Sequence, residues 1–140
     1  MKNKLLANNN ILLTPLRQAI LAILHDSNKP LGAYEILNKL KKKRPNAEPP
    51  TVYRVLQFLI EAKIVHRIEA LNAYVCCSHM ADNKSSHEAI LLLCKVCNKS
   101  FEFEDKNIFE SLTQFSKKHT IKIDDALIEI KGTCQNCISS

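Results

Sequence analysis

Residues 50–60 of the chain read PTVYRVLQFLI, which is the pattern of an amphipathic helix. The apolar residues recur at the three- and four-residue spacing of one helix face, and Pro50 suits the first helical position. This stripe comprises Val52, Val55, Leu56, Leu59 and Ile60. Thr51, Tyr53, Arg54 and Gln57 fall outside it, near the amino-terminal end. We therefore predict a helix that buries one face and offers polar groups to a partner on the other.

Two further helices are predicted before it. Thr14 and Pro15 form an N-cap and first-turn proline, and apolar residues then recur at helical spacing as far as Leu24. The run stops at residues 28–30, which read NKP. A second run has the same helical period and ends in the lysines at 41–43; its apolar residues are Ala33, Ile36, Leu37 and Leu40.

Two β-prone segments, residues 64–68 and 73–77, follow the third helix and are joined by the short link 69–72. They predict a hairpin. Three amphipathic helices and a hairpin indicate a winged helix-turn-helix, in which the last helix enters the major groove and the wing lies along the DNA backbone. Helix count and charge alone fit equally well a small helical domain with a solvated basic face.

The positive charge is concentrated in this part of the chain. Residues 1–78 carry 12 Lys and Arg against 5 Asp and Glu, whereas residues 79–140 carry 8 against 9. A localised excess of +7 favours a polyanionic partner. Arg54 could bind a guanine edge, and Thr51 and Tyr53 could reach phosphates or a thymine methyl. Alternatively, Tyr53 is a surface or subunit-contact aromatic and Arg54 pairs with Glu48 or Glu61.

Composition limits the class of protein. The chain has 140 residues, 46% of them hydrophobic and 24% charged, which predicts one or two globular domains and not a disordered tail. No apolar run reaches the length of a membrane span, and the first residues lack the apolar core of a secretory signal. We therefore expect a cytoplasmic protein, in which the six cysteines more often bind metal than form disulfides.

Four cysteines form two C-x-x-C knuckles, Cys94 with Cys97 and Cys134 with Cys137. Two knuckles together supply the tetrahedral, all-sulfur shell that zinc favours, whereas a redox dithiol would need only one pair. Between them we predict a strand at 100–104, a helix at 105–120 and a strand near 126–131. The residues expected to face inward on that helix are Ile108, Leu112 and Phe115, and Gly132 is expected to permit a close approach to the second knuckle.

No catalytic machinery is predicted. A zinc deaminase requires H-x-E followed by P-C-x-x-C, but here His87 and Glu88 are adjacent and Leu93 precedes Cys94. A P-loop, a GxGxxG motif and an ordered Ser-His-Asp triad are also lacking from the sequence. We therefore expect that the protein is not an enzyme.

Further residues of the types that bind metals lie near a polar segment, residues 78–86. The candidates are His66, Cys76, Cys77, His79, His87 and Glu102, whereas His25 and His119 are interpreted as ordinary surface or core histidines. We predict a DNA-binding domain at 1–78, a hinge at 79–86, and a dimerisation and zinc-binding domain at 87–140. Leu127 and several leucines of the strands 89–93 and 126–131 fit either a core or a subunit interface.

These motifs together resemble the Fur family of metal-responsive repressors, in particular its zinc uptake regulator branch. The resemblance runs over nearly the whole chain: residues 13–17 (LTPLR), 33–34 (AY), 50–54 (PTVYR), 65–69 (VHRIE), 72–75 (NAYV) and both knuckles. It implies an α+β fold, with an amino-terminal winged helix-turn-helix and a small α/β dimerisation domain. The implied function is a zinc-loaded homodimer that binds double-stranded operator DNA and represses zinc uptake genes, with neither a membrane nor a small-molecule substrate.

The resemblance also implies the sites, with two zinc ions per chain. Cys94, Cys97, Cys134 and Cys137 would hold a structural zinc, and His66, Cys77, His87 and Glu102 a regulatory one. Tyr34, Thr51, Tyr53 and Arg54 would contact DNA. Iron-, manganese- and peroxide-responsive branches are the alternatives within the family, and the Cys77 thiolate favours zinc over them. An alternative of another class is a zinc-ribbon module that binds RNA or protein.

Overall fold

The computed structural model describes residues 13–77 and 88–139. The chain divides into two compact units, residues 1–83 and 84–140, and the boundary between them falls within the predicted hinge at 79–86. That hinge, together with His79 and His87, lies outside the described residues.

The described part of the first unit, residues 13–77, contains three helices: α1 (Pro15–His25), α2 (Ala33–Leu40) and α3 (Pro49–Glu61). Thr14 caps α1 as predicted, and its hydroxyl accepts a hydrogen bond from the backbone N–H of Arg17 at 3.3 Å. The prediction for α3 was wrong by one residue: the helix begins at Pro49, so Pro50 is its second residue. Both prolines fit there because first-turn N–H groups have no partner within the helix.

The apolar stripes of the three helices meet in one core. The fully buried side chains include Ile20 of α1, Ile36 and Leu40 of α2, and Leu56 and Leu59 of α3. At the edge of this core the Arg17 guanidinium lies 3.5 Å from the ring centroid of Phe58, a cation–π contact between α1 and α3. Packing therefore fixes which face of α3 is left outside.

The predicted hairpin is present as β1 (Val65–Ile68) and β2 (Ala73–Cys76), an antiparallel pair in which Arg67 lies opposite Tyr74. We call this hairpin and its loop, residues 65–76, the wing. Leu31 adds an isolated antiparallel bridge to Tyr74, which ties the wing to the segment between α1 and α2. Three helices and a wing confirm the predicted winged helix-turn-helix.

In the second unit, residues 88–139 form a three-stranded sheet and two helices. Its elements are β3 (Glu88–Cys94), β4 (Ser100–Phe103), α4 (Lys106–Lys118), β5 (Ala126–Gly132) and α5 (Gln135–Ile138). The strand order is β4-β3-β5, with β3 antiparallel to β4 and parallel to β5. The parallel pairing requires a crossover, which α4 supplies. The chain thus has the predicted α+β class.

The predicted inward face of α4 was wrong. Phe109 is the buried residue of this helix and Leu112 is half-buried, whereas Ile108 is 41% and Phe115 50% exposed in the single chain. The apolar residues of α4 span about 120° of the helix circumference, with Phe109 at one edge of this stripe. The single chain buries the part centred on Phe109, a rotation of about 100° from the predicted centre at Ile108.

Within residues 13–77 and 88–139, no helix combines the length and the apolar character needed to cross a membrane.

Candidate metal centre and nucleic-acid surface

The two knuckles meet at one end of the second unit. Cys94 ends β3 and lies opposite Gly132 at the end of β5, so the chain enters the second knuckle directly beside the first. Gly132 has an ordinary backbone conformation, and its close neighbour is the side chain of Leu92, which an added Cβ would meet at 3.2 Å. Asn98 follows the first knuckle at φ 62°, a left-handed conformation that asparagine tolerates.

The four thiols have the spacing that a tetrahedral ion requires. All four sulfur atoms lie within 4.8 Å of one another, and the Cys97 and Cys134 sulfurs are 3.9 Å apart. A tetrahedron with Zn–S bonds of about 2.3 Å has edges of about 3.8 Å. Each of these cysteines is a free thiol. The knuckles therefore fit a zinc ion held by Cys94, Cys97, Cys134 and Cys137.

The surroundings of the thiols favour a cation. Backbone N–H groups, that of Cys97 foremost and that of Cys134 at 3.4 Å, donate to the Cys94 sulfur and lower the pKa of Cys94 to about 6. The hydrogen bond with the Cys134 side chain raises the pKa of Cys137 to about 12. These hydrogen bonds favour the thiolate form of Cys94 and the protonated form of Cys137. Adjacent thiolates repel each other, and a bound metal ion would neutralise them.

His66 and Cys77 form a second pair of potential ligands, in the first unit. His66 is on β1, Cys77 follows β2, and both are buried. A ring nitrogen of His66 and the sulfur of Cys77 lie within 4.8 Å of each other. In the second unit, Glu102 is half-buried on β4 opposite Leu91. His87 lies outside the described residues.

Cys76, which the sequence left unassigned, packs against α1. Its sulfur is 3.7 Å from the carbonyl oxygen of Leu21, and burial raises the pKa of Cys76 to about 12. Adjacent residues of an extended strand point to opposite sides, so Cys76 and Cys77 have different neighbours. Cys76 is therefore a half-buried thiol that packs against the core of the first unit, where its surroundings favour the protonated form.

The four residues predicted to contact DNA lie on α2 and α3. Tyr34 is 64% and Tyr53 44% exposed, large fractions for aromatic side chains; Arg54 is exposed and Thr51 half-buried. Glu61, one of the alternative partners considered for Arg54, accepts a hydrogen bond from the side-chain amide of Gln57 at 3.0 Å. The described surface of α3 thus offers the polar groups that the helical period predicted.

A cleft between α3 and the wing was not predicted from the sequence. Its volume is about 470 Å³, and residues of both elements line it, among them Tyr53, Arg54 and Gln57 of α3 and Arg67, Asn72 and Tyr74 of the wing. The alternation of β1 places Arg67 on the exposed side, between buried His66 and Ile68. This alternation and the turn-forming Asn72 before β2 were the sequence features that could have predicted the cleft.

Comparison with known proteins identifies the family. Residues 8–131 match the Ferric uptake regulator family. The chain belongs to this family. It is 32% identical over 135 residues to the zinc uptake regulation protein of Escherichia coli K12, covering 96% of this chain and 78% of that protein. It is 28% identical over 136 residues to the ferric uptake regulation protein of Campylobacter upsaliensis, covering 96% and 85%.

The structural comparison agrees with the sequence comparison. A solved zinc uptake regulator in complex with zinc and DNA superposes with a TM-score of 0.88 and 30% identity, over 98% of this chain and 90% of that one. The Fur-family match includes residues 8–78, in the part of the chain with the excess of positive charge, and the first knuckle. As a member of this family, the chain is a regulator and not an enzyme, as predicted.

Proposed function

We propose that this Fur-family member is a zinc-responsive transcriptional repressor, which binds operator DNA as a zinc-loaded dimer and controls zinc uptake genes. The observation that carries the proposal is similarity at 30–32% identity, over at least 96% of the chain, to a zinc uptake regulation protein and to a regulator solved with zinc and DNA. Binding to operator DNA assigns the protein to the cytoplasm as part of the same proposal.

The proposed DNA contacts use the exposed groups of α2 and α3. Arg54 has the fork geometry for a bidentate contact to guanine, and Tyr34 and Tyr53 expose aromatic hydroxyls that can donate to base edges or phosphates. Thr51, in the first turn of α3, suits a phosphate. In a symmetric dimer the two α3 helices must lie about 34–36 Å apart to enter successive major grooves.

We propose two zinc ions per chain. Cys94, Cys97, Cys134 and Cys137 hold the structural ion in a closed thiolate shell, which the sulfur spacing supports. His66, Cys77, His87 and Glu102 hold the regulatory ion. The proximity of buried His66 and Cys77 supports half of that second ligand set.

The Cys77 thiol is the main argument for zinc over iron or manganese. Thiolate and imidazole ligands suit zinc, whereas manganese prefers carboxylate and water oxygens. Iron-responsive relatives are the second candidate, because the chain also resembles a ferric uptake regulation protein at 28% identity. The family match also covers residues 8–78, outside the knuckles, and this argues against an isolated zinc-ribbon module.

The positions of the regulatory ligands along the chain suggest how zinc controls DNA binding. His66 and Cys77 belong to the first unit and Glu102 to the second, so ligands of both units would share one ion. Sharing an ion restrains the movement of one unit against the other, and in a dimer it restrains the spacing of the two α3 helices. By thermodynamic reciprocity, operator DNA should then tighten zinc binding.

A gel-shift titration of the full chain tests this function. The probe is an AT-rich palindromic duplex, selected by the zinc-loaded protein from a randomised pool and titrated with and without a zinc chelator. We expect the chelator to weaken binding strongly, and His66→Ala and Cys77→Ser to remove the response to zinc. Cys76→Ser, the same chemical change at the neighbouring position, should keep it. Unchanged zinc dependence in folded His66→Ala and Cys77→Ser would reject the regulatory site, and a stronger response to Fe²⁺ would favour the iron branch.

A further inference from the structure

The cleft between α3 and the wing brings together two guanidinium groups from different elements. Arg54 comes from α3 and Arg67 from β1, and the residues that line the cleft in the described part of the chain include no carboxylate. A concave site with two permanent positive charges attracts an anion. Its volume of about 470 Å³ is ample for a phosphate group.

The wing loop holds Arg67 in place. The Nη2 group of Arg67 donates a hydrogen bond to the side-chain oxygen of Asn72 at 3.0 Å. Asn72 has φ 47°, a left-handed conformation that asparagine adopts more readily than most residues, and this conformation belongs to the turn that reverses the chain into β2. The guanidinium is therefore oriented before any ligand arrives.

Arg67 is nevertheless accessible. Among the described residues it also pairs with Glu69, at 3.6 Å, and the two side chains are 44% and 72% exposed. An ion pair this open to water contributes little. One bond to Asn72 leaves other N–H groups of the guanidinium to donate to oxygens of an incoming ligand, since arginine has five such donors.

We propose that this cleft binds a phosphate of the DNA backbone, with Arg67 as the contact and Asn72 as its positioning residue. This inference rests on the proposed function, since it assigns the wing a defined contact in the same DNA complex. Arg54 contacts base edges from α3, while Arg67 binds a phosphate of the DNA strand that passes between α3 and the wing. Such a contact sets the register of the protein on the duplex without reading sequence.

Salt dependence distinguishes a phosphate contact from a base contact. Losing a phosphate contact weakens binding to all sequences alike and reduces the slope of log K against log salt by about 1. A dimer with two altered wings should lose about 2. Losing a base contact instead relaxes the preference at one operator position.

The test compares the zinc-loaded full chain with Arg67→Gln on the selected operator and on an unrelated duplex of equal length. We expect Arg67→Gln to weaken binding to both by the same factor, at least about tenfold, and to lower the salt slope by about 2 per dimer. Lys122→Gln is the matched control. It removes one positive charge from an exposed residue of the second unit and should change neither quantity. Zinc content and thermal unfolding verify that each variant is folded.

Asn72→Gly tests the positioning role, because glycine keeps the left-handed conformation and removes the side-chain acceptor. We expect weaker binding with an unchanged salt slope, since the charge of Arg67 remains. In the Arg67→Gln background, Asn72→Gly should cost nothing further, as two residues of one interaction are not additive. An equal cost in both backgrounds would show that Asn72 acts only through the loop, and would overturn its role.

The outcomes separate the two proposals. If wild-type protein selects no sequence and ignores zinc, the repressor function fails. If the wild type binds its operator and Arg67→Gln matches it in affinity and salt slope, the phosphate site fails while the repressor function stands. Relaxed specificity at one operator position with an unchanged slope would make Arg67 a base-reading residue, which also overturns the phosphate site.

Discussion

Cys97 is the residue at which the proposed structural zinc site can be tested separately from the proposed regulatory one. A serine hydroxyl is not ionised at neutral pH and cannot replace a thiolate, so Cys97→Ser should lose the tightly held zinc. We expect the zinc content to fall from two ions to one per chain after exhaustive dialysis. The free energy of unfolding should drop by several kcal/mol, since structural zinc sites contribute on the order of 10 kcal/mol to folding.

The control is Val96→Ser, one residue earlier in the same knuckle. Val96 is 62% exposed and supplies no ligand, so its zinc content and stability should match the wild type. Elemental analysis and urea titration measure both quantities. Two zinc ions retained in Cys97→Ser would contradict the four-thiol site.

Residue spacing predicted the cysteine cluster but not the surroundings of each thiol. Two C-x-x-C pairs have few other uses in one chain, so the four knuckle cysteines followed from the sequence directly. The environment of Cys76 did not, because its contact with Leu21 spans 55 residues and depends on how α1 packs on β2. Likewise, no sequence pattern indicated that Asn72 would hold Arg67.

At the scale of elements, the end of α4 holds an unfavourable residue. Thr120 follows the C-cap His119 with φ 55°, a conformation that favours glycine and penalises a β-branched side chain. Thr120→Gly should therefore stabilise the second unit by about 1 kcal/mol. Denaturant unfolding of the zinc-loaded chain measures the change.

Thr113→Gly provides the opposite control within the same helix. Thr113 lies in the interior of α4, where glycine is destabilising because it loses more backbone conformational entropy on folding than other residues. The Thr113 hydroxyl also donates a hydrogen bond to the Phe109 carbonyl at 3.1 Å. We expect a loss of about 1 kcal/mol there. A loss at Thr120 as well would mean that its side chain makes contacts that outweigh its backbone strain.

Local signals predicted the elements better than their arrangement. The N-cap of α1 and the apolar periods predicted α1 and α2, and two β-prone segments with a short link predicted the hairpin. These features depend on neighbours within a few residues. The rotation of α4 was wrong because its apolar residues span about 120° of the circumference, and the helical period alone does not indicate which part of this stripe the single chain buries. The parallel pairing of β3 with β5 depends on contacts remote in sequence, which periodicity does not encode. The helix α5 has only four residues, too few to show a helical period.

At the scale of the whole molecule, the two units differ in how they are stabilised. The first has a continuous core of buried apolar residues from all three helices and the wing. In the described part of the second, the buried side chains are few: Ala89, Ile90, Leu91, Leu93, Cys94, Phe109 and Cys134. A small unit with a thin core needs a metal or another staple.

Metal removal should therefore unfold the two units unequally. With a chelator strong enough to remove all bound zinc, we expect amide protons of β3 and β5 to lose their protection from hydrogen exchange, while those of α1 and α3 keep most of theirs. Hydrogen exchange of the full chain, resolved by peptide, measures this. Equal loss in both units would show that they fold as one cooperative body.

The pairing of Cys94 with Gly132 across β3 and β5 also gives the metal a role in folding accuracy. A sheet that slipped by two residues would still bury the same strand faces, so hydrophobicity alone discriminates poorly between the two alignments. The slip would, however, carry Cys134 about 6.6 Å along the strand, too far for the four sulfurs to share one ion. A metal ion bound by the four sulfurs would therefore stabilise the native register of β3 and β5 and not the slipped one.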